Sequence, residues 1–493
     1  MKMPFYGGEE AKMQENKQNQ NTPDLSTVSV KFGLKSFITV VAILLAIVIV
    51  TGVLTFVIPA GQYAEDPETG KILVDQFGYV DNSESRLPVW RWFTAPIEAL
   101  FSKGSFNIIQ VIALLLILGG TFKVLEDSGG LVALIKVVIG KFYQHRYIAI
   151  WMITLVIMLL AALFGIQEQL LILFPVFLML AQAMTWSKVT AISLILITSG
   201  VGFTTAILNP FTSGIAAEEA GESITVLLGY RLAIFVVMYV VTSAFLVFMA
   251  KRDERCATGK VDLSRFQMDS EEERKELTSK AVMIFLLFGI ALGVVVLSLA
   301  IPAISKLGLS MVFMAVAFVV GTVIVGKKLL GTFRKLGKSF WQGMVAVSPS
   351  VLIIMVAFSV KYIADKGMIL HTIFHYFHGV INGTSPYLAI LLLYLFILVV
   401  EFFIPSASTK AVLIIPMLTL APIEGLSVPM ILLTYLFADG YTNVLFPTCS
   451  TLMVGLSLAE ISYVEWVKKT IWLQLIMLVL SVGFLMLGLA LGF

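Results

Sequence analysis

The chain has 493 residues, 58% of them hydrophobic and only 13% charged, with a mean hydropathy of +0.95. A soluble chain carries about 25% charged residues, so a water-soluble enzyme of several domains is excluded, as is an outer-membrane barrel with its alternating strands. Lys and Arg (34) nearly balance Asp and Glu (31), and a net charge of +3 argues against a nucleic-acid partner. The composition predicts an all-α polytopic membrane protein.

Residues 1–36 form a polar tail of mixed charge without the short apolar core of a secretory signal. Apolar runs follow at 37–58, 107–125, 148–164, 170–183, 189–208, 230–250, 281–300, 308–326, 345–363, 387–403, 411–423, 429–447 and 470–492. About 20 apolar residues cross a bilayer core, so 170–183 and 411–423 are too short to span. Each follows a longer run through a small polar break, Gly165–Gln169 or Pro405–Lys410. This predicts two re-entrant hairpins, 148–183 and 387–425, because irregular backbone at membrane depth is tolerated only inside protein or beside a cavity.

Nine full transmembrane helices then remain, and the distribution of basic residues orients them. With the N-terminus inside, the tail, 126–147, 251–280, 327–338 and Lys468-Lys469 carry 23 Lys and Arg on the cytoplasmic side, against six outside. Counting the hairpin arms as full spans would separate the two most basic loops, 251–280 and 327–338. The C-terminus is expected outside.

The chain also says nearly the same thing twice. Phe122-Lys123-Val124-Leu125-Glu126-Asp127-Ser128-Gly129 parallels Val360-Lys361-Tyr362-Ile363-Ala364-Asp365-Lys366-Gly367. After each comes an amphipathic stretch, a hairpin, and a run broken at Gly202-Phe203-Thr204 or Gly440-Tyr441-Thr442. Two oppositely inserted copies with broken helices are a transporter signature. The expected organisation is a tail (1–36), a first repeat (37–250), a cytoplasmic linker (251–280), a linking helix (281–300) and a second, inverted repeat (308–493).

Candidate binding residues lie at the two tips and the two breaks. Glu168, between Gln167 and Gln169, is a costly intramembrane carboxylate that suits a proton, a cation or a cationic substrate group, or else caps the next arm. Lys410 is its natural counter-charge, for a substrate carboxylate or an internal acid. Ser406, Ser408 and Thr409 offer hydroxyls to ions or simply small size for packing. Asp439 and Asn443 share one helical face near Thr442 and Thr448, with Thr204 and Asn209 at the corresponding break. Glu401 is costly in the same way, with no face assigned. His371, His375 and His378 also share a face; Zn²⁺ ligation is the sharper reading and an interfacial aromatic arm the simpler one. Cys256 and Cys449 provide neither a disulfide framework nor a metal knuckle, and no nucleotide-binding or metalloprotease motif occurs.

Ile58-Pro59-Ala60-Gly61-Gln62-Tyr63, Gly165-x-x-Glu168, Asn209-Pro210-Phe211, Pro405-Ser406-x-Ser408 and Asp439-Gly440-x-Thr442-Asn443 with Pro447-Thr448 resemble the YfcC branch of the DcuC (C4-dicarboxylate anaerobic carrier) family, within the ion-transporter superfamily. The nine-span, two-hairpin topology is similar to that of AbgT-type transporters. The resemblance implies a bacterial inner-membrane secondary carrier, often a homodimer, with no cofactor and with Na⁺ or H⁺ as a possible coupling ion. It leaves a C4-dicarboxylate or an amino acid as substrate, with a basic amino acid (arginine/ornithine) antiporter as the alternative; a channel or membrane-embedded enzyme is the reading from another class. Where the family commonly has a second tip acid and a Gln, this chain has Gln169 and Lys410, which leans towards an anionic or carboxylate-bound substrate.

Overall fold

The computed structural model describes residues 34–65, 72–80, 86–102, 105–256, 270–301, 309–381, 383–420 and 423–493. The expected tail up to residue 33 and the middle of the linker, 257–269, lie outside them. The chain opens with α1 (Leu34–Val57), a hairpin of β1 (Gly61–Glu65) and β2 (Ile72–Tyr79), α2 (Val89–Glu98), α3 (Ser105–Asp127) and α4 (Gly130–Phe142). Then come α5 (Arg146–Phe164), α6 (Phe174–Ala183), α7 (Lys188–Thr205), α8 (Ile215–Ala220) and α9 (Leu228–Cys256). A long α10 (Glu271–Ala300) leads to α11 (Ser310–Leu330), α12 (Phe333–Val347), α13 (Pro349–Lys366) and α14 (Ile369–Ile381). The remainder is α15 (Pro386–Phe403), α16 (Ala407–Leu420), α17 (Val428–Thr442), α18 (Ser450–Leu458) and α19 (Tyr463–Ala490). The all-α polytopic class is therefore observed.

Among the described residues, nine helices are long and apolar enough to cross a membrane. The number agrees with expectation, but the membership differs. Tyr143–Phe164 and Pro386–Phe403, expected as hairpin arms, qualify by length and composition. The run 345–363 does not form a single straight helix, because α12 and α13 meet at a 40° bend where Pro349 starts a new helix. The run 429–447 is cut short at Thr442, ahead of Pro447. α10 begins ten residues before the expected linking helix. Ser270 accepts the Glu273 N–H at 3.0 Å, and three glutamates fill the first turn, where the helix dipole favours them.

The segments expected as hairpins each begin and end close together. Arg146, the first residue of α5, pairs with Glu254 at 2.8 Å, and Trp186 just beyond α6 donates to the same carboxylate at 2.9 Å. The two ends of that segment therefore meet at one point. At the other hairpin, Gly425 lies against Pro386, so its exit also returns to its entrance.

Helices pack in corresponding ways in the two halves. α1 and α2 rest on α13, while α11 and α12 rest on α3. α5 and α9 flank α7, while α15 and α19 flank α17. A constant interval of 238 residues separates Lys123 from Lys361, Leu171 from Thr409 and Gly202 from Gly440. Each Lys also makes the same i,i+4 ion pair, Lys123–Asp127 at 2.9 Å and Lys361–Asp365 at 3.7 Å.

Charge gathers at one end of the bundle. Lys136–Glu273, Arg146–Glu254 and Lys188–Glu460 all lie there. At the far end of α3 the β-hairpin packs on α14: His371 Nδ1 accepts the Tyr63 N–H at 3.1 Å, and His375 stacks on Phe77 with centroids 4.1 Å apart. The three-histidine face thus builds an aromatic platform, and among the described residues no group of His, Cys, Asp or Glu is arranged to hold a metal. Phe493 packs on Tyr230 at the start of α9, whose other end carries Glu254. The C-terminus and the Glu254 cluster therefore occupy opposite ends.

This arrangement predicts that single cysteines at Lys275 and Gly379, in a Cys256→Ser background, react with an impermeant maleimide from opposite sides of intact vesicles. Labelling of both from the same side would break the assigned topology.

Candidate functional site

The site forms where the two broken helices cross. Every residue of α7 from Val189 to Thr205 is buried, as is every residue of α17 from Met430 to Thr442. They approach backbone to backbone, since a Cβ on Gly440 would collide with the Thr204 N and Cα atoms. Small residues allow such crossings between apolar helices, where van der Waals contact rather than water exclusion supplies the attraction.

Each of these helices stops inside the protein, and its last carbonyls need donors. After α7, Arg231 of α9 supplies them. Its Nη2 donates to the Ala206 and Ile207 carbonyls, the latter at 2.6 Å, and its Nη1 donates to Ile224 O at 2.8 Å and Val226 O at 3.2 Å. Arg231 is 3% exposed. After α17, at positions 238 residues later, the donors are neutral. Trp466 Nε1 and Gln474 Nε2 donate to Val444 O at 2.9 and 3.3 Å, and the Tyr463 hydroxyl donates to Leu445 O at 2.6 Å.

Beside the crossing sits a buried charge cluster. Lys410, at the second tip, donates to Asp439 Oδ1 at 2.6 Å and forms an ion pair with Glu401. Its Nζ also lies 5.2 Å from the Tyr435 ring centroid. All three charged side chains are at most 1% exposed. Two carboxylates around one ammonium leave a formal charge of −1. Among the described residues, Asp439 Oδ2 and both Glu401 carboxylate oxygens have no hydrogen-bond partner, nor do the buried Thr448 Oγ1 and the first-tip Gln167 Nε2.

At the first tip, Gly165 takes a left-handed conformation (φ +65°) and turns the chain against Asn209 and Phe211. The Gln167 N–H donates to Gln169 Oε1 at 3.0 Å. Glu168 is half-buried at the start of a 3₁₀ turn and lies within electrostatic range of Asp439 and Cys449.

A cavity of about 750 Å³ descends to the second tip, lined by Glu98, Lys361, Tyr362, Asp365, Lys366, Ser406 and Thr409. Glu98 is fixed in its wall by Arg91 and by the Tyr362 and Thr94 hydroxyls, at 2.8 and 2.5 Å. The hydrogen bonds from Arg91 are the chief reason its carboxyl is lowered to about 2. A second cavity, of about 80 Å³, is lined by Phe122, Lys123, Glu126, Leu171, Pro175, Gln342 and Gly343. The large cavity touches α3 at Ile108 and the small one at Leu115–Glu126, so they lie towards opposite ends of that helix.

The structure thus brings Lys410, Asp439 and Glu401 together, with Glu168 near, all three buried, while the neighbouring Ser406 and Thr409 line the cavity. Those two hydroxyls contact one another at 3.0 Å on the cavity floor. Ser408 is half-buried and is not among the lining residues. Asn209 has a framework role, accepting the Phe211 N–H at 2.9 Å and donating to Ala161 O at 3.3 Å. Thr204 and Thr442 donate to carbonyls of their own helices, Gly200 O and Asp439 O. Asn443 is buried at the end of α17. Sequence reasoning overlooked Arg231, although an arginine just inside the apolar run 230–250 was a visible signal. It also passed over Glu98 and the cavity role of Lys361, which depend on contacts between the two halves.

Comparison with known proteins points in one direction. The family model described as "DcuC: C4-dicarboxylate anaerobic carrier" matches residues 37–490. The Escherichia coli (strain K12) protein named "Putative basic amino acid antiporter YfcC" is 23% identical over 478 residues, covering 86% of this chain and 91% of its own. An uncharacterized Haemophilus influenzae protein is 23% identical over 384 residues, 74% of this chain and 72% of its own. Among solved structures, the Alcanivorax borkumensis YdaH transporter aligns at 15% identity with TM-score 0.41, covering 96% of this chain and 99% of its own. Neisseria gonorrhoeae MtrF aligns at 15% and 0.41, covering 94% and 96%.

Two outcomes follow from the geometry. Gly440→Ala should lower the melting temperature of the purified protein by about 5 °C or more, because the added methyl must push two backbones apart. The Glu98 carboxyl is held below its ordinary value of 4.5, so its clamp stabilises the fold above that pH and is lost as pH falls towards about 2. In melting curves, the deficit of Glu98→Gln relative to the parent should be constant above pH 5 and shrink below pH 4.

Proposed function

The chain belongs to the C4-dicarboxylate anaerobic carrier family, and on that premise we propose a secondary active transporter that moves a small carboxylate-bearing metabolite by alternating access. It is a multi-pass membrane transporter and not an enzyme. The proposal extends this to two inverted copies, 37–250 and 308–493, that exchange the openness of their cavities. One observation carries it. Corresponding segments line two cavities towards opposite ends of α3, about 750 Å³ on one side and about 80 Å³ on the other. Lys361 and Thr409 line the first where Lys123 and Leu171 line the second. A carrier resting open to one side has this asymmetry, and exchange of the two would carry a bound solute across.

On this reading the substrate enters past Lys361 and Lys366, which suit a carboxylate, and rests against Ser406 and Thr409 above the Lys410–Asp439–Glu401 cluster. Gln167, Glu168, Gln169, Ser408, Asn443 and Thr448 line the route as the cavity shifts, while Thr204, Asn209 and Thr442 shape the crossing. The large cavity faces outside, the Lys136–Arg146–Lys188 end faces the cytoplasm of a bacterial cell, and two copies pair in the inner membrane. The second reading, a basic amino acid antiporter, gains support from the acids Glu98 and Asp365 in the cavity wall and from the name of the Escherichia coli relative.

A thermal-shift screen of the purified protein with succinate, fumarate, acetate, arginine and ornithine tests both. Succinate or fumarate should raise the melting temperature, and Lys361→Gln should weaken that ligand about tenfold, the worth of one charge-assisted hydrogen bond. Stabilisation by arginine and ornithine alone, lost in Glu168→Gln, would install the antiporter reading instead.

A further inference from the structure

Membrane helices that break in mid-bilayer free carbonyl oxygens, and carriers commonly use such oxygens together with buried carboxylates to bind a coupling cation. Both kinds of place exist here, and a side-chain cation of the protein stands in each. At the end of α7, four carbonyls converge, those of Ala206, Ile207, Ile224 and Val226. The group on them is the Arg231 guanidinium, with no carboxylate among its hydrogen-bond partners in the described residues. At the second tip, two carboxylates converge, those of Glu401 and Asp439, and the group between them is the Lys410 ammonium. Four carbonyls make a neutral, oxygen-rich cage, and two carboxylates a strongly anionic one. Either would draw a small hard cation out of water if left empty.

We propose that Arg231 and Lys410 are tethered cations that occupy the protein's own cation sites, so that Na⁺ is neither bound nor required by this transporter. The proposal rests on the transporter reading above and assigns its ion specificity. An ammonium covalently held at 0% exposure between two carboxylates cannot be diluted away, whereas a free ion must be recruited and dehydrated. A bound Na⁺ would need the volume and the ligand oxygens that Lys410 Nζ already takes. The arginine serves the first half in the same sense. Removing it would leave four carbonyl oxygens without their donor; water could restore hydrogen bonds to them, but only a metal ion would restore the positive charge. The second half shows that carbonyl capping alone needs no charge, because Trp466, Gln474 and Tyr463 cap Val444 and Leu445 as neutral donors. The positive charge at Arg231 is therefore not explained by helix capping alone.

The test is cation binding to the purified full chain with no organic substrate, which keeps it separate from the transport reading. If no carboxylate or amino acid is transported, the cation result still stands or falls by itself. Melting is followed in NaCl against choline chloride at equal ionic strength, with ²²Na⁺ binding measured in parallel. The parent protein should melt at the same temperature in both salts and retain no ²²Na⁺. Lys410→Gln should melt lower in choline chloride and regain at least about 2 °C in saturating NaCl, with ²²Na⁺ now bound, because the exposed carboxylate pair gains a ligand. Saturable Na⁺ stabilisation of the parent protein would overturn the proposal. So would a folded Lys410→Gln protein that responds equally to Na⁺ and choline. Should Lys410→Gln fail to fold in both salts, Lys410→Arg, which keeps the tethered charge, must fold and ignore Na⁺; a Na⁺-dependent Lys410→Arg overturns the proposal as well.

Discussion

Inside a bilayer, no backbone polar group can be left without a partner, and this constraint organises the centre of the molecule. α7 and α17 both stop in mid-protein, so each exposes carbonyls that water cannot serve. The nearest solution is a donor on the helix that follows, and both halves adopt it. α9 brings Arg231 to Ala206 and Ile207, and α19 brings Trp466, Gln474 and Tyr463 to Val444 and Leu445. Because those donors fix where the broken ends lie, they also fix the crossing of Gly440 over Thr204. The 3₁₀ turn Glu168–Leu173 packs on α7, and α16 packs on α17. Were the ends uncapped, each lost hydrogen bond in this setting would cost several kcal/mol.

Charge placement follows the same logic at larger cost. Moving an ion from water to a protein interior carries a penalty that only good partners offset. Lys410, Glu401 and Asp439 meet this by sharing, and the Tyr435 ring adds a further contact to the ammonium. Two carboxylates around one ammonium give the cluster a formal charge of −1. Lys361 and Lys366 stand in the cavity wall, whereas Lys410 is fully buried and paired with Asp439 and Glu401. The polar cavity is lined by Ser406 and Thr409, and Lys410, Asp439 and Glu401 are buried outside its lining.

The asymmetry of the two cavities gives the structure a direction. Helices from opposite halves form each wall, α2 on α13 for the large cavity and α12 on α3 for the small one. Gly119 and Gly343 bring α3 and α12 into backbone contact, which is why that side is nearly closed. On the other side Glu98 is held by Arg91 and Tyr362, and this clamp keeps α2 on α13 without filling the space between them.

Much of this was legible in the sequence, because hydropathy and charge act locally. The apolar runs placed the helices, the Gly-Phe-Thr and Gly-Tyr-Thr elements marked both breaks, and the polar stretches at Gly165–Gln169 and Pro405–Lys410 marked where two helices end, at Phe164 and Phe403. Glu168, Lys410 and Asp439 stood out since ionisable groups in apolar runs are rare. Helix ends were less legible: Ser270 with three glutamates started α10 early, and Pro349 split an expected span in two, because capping and proline chemistry outweigh hydropathy at boundaries. What no local pattern contains is which side chains meet. Only the tertiary structure placed Glu401 on Lys410, tied Asn209 to the backbone of Ala161 and Phe211, and put Arg231 on four carbonyls from separate segments. Those pairings are settled by the long-range demand that every buried charge and carbonyl find a partner, and that demand can be met only once the helices have packed.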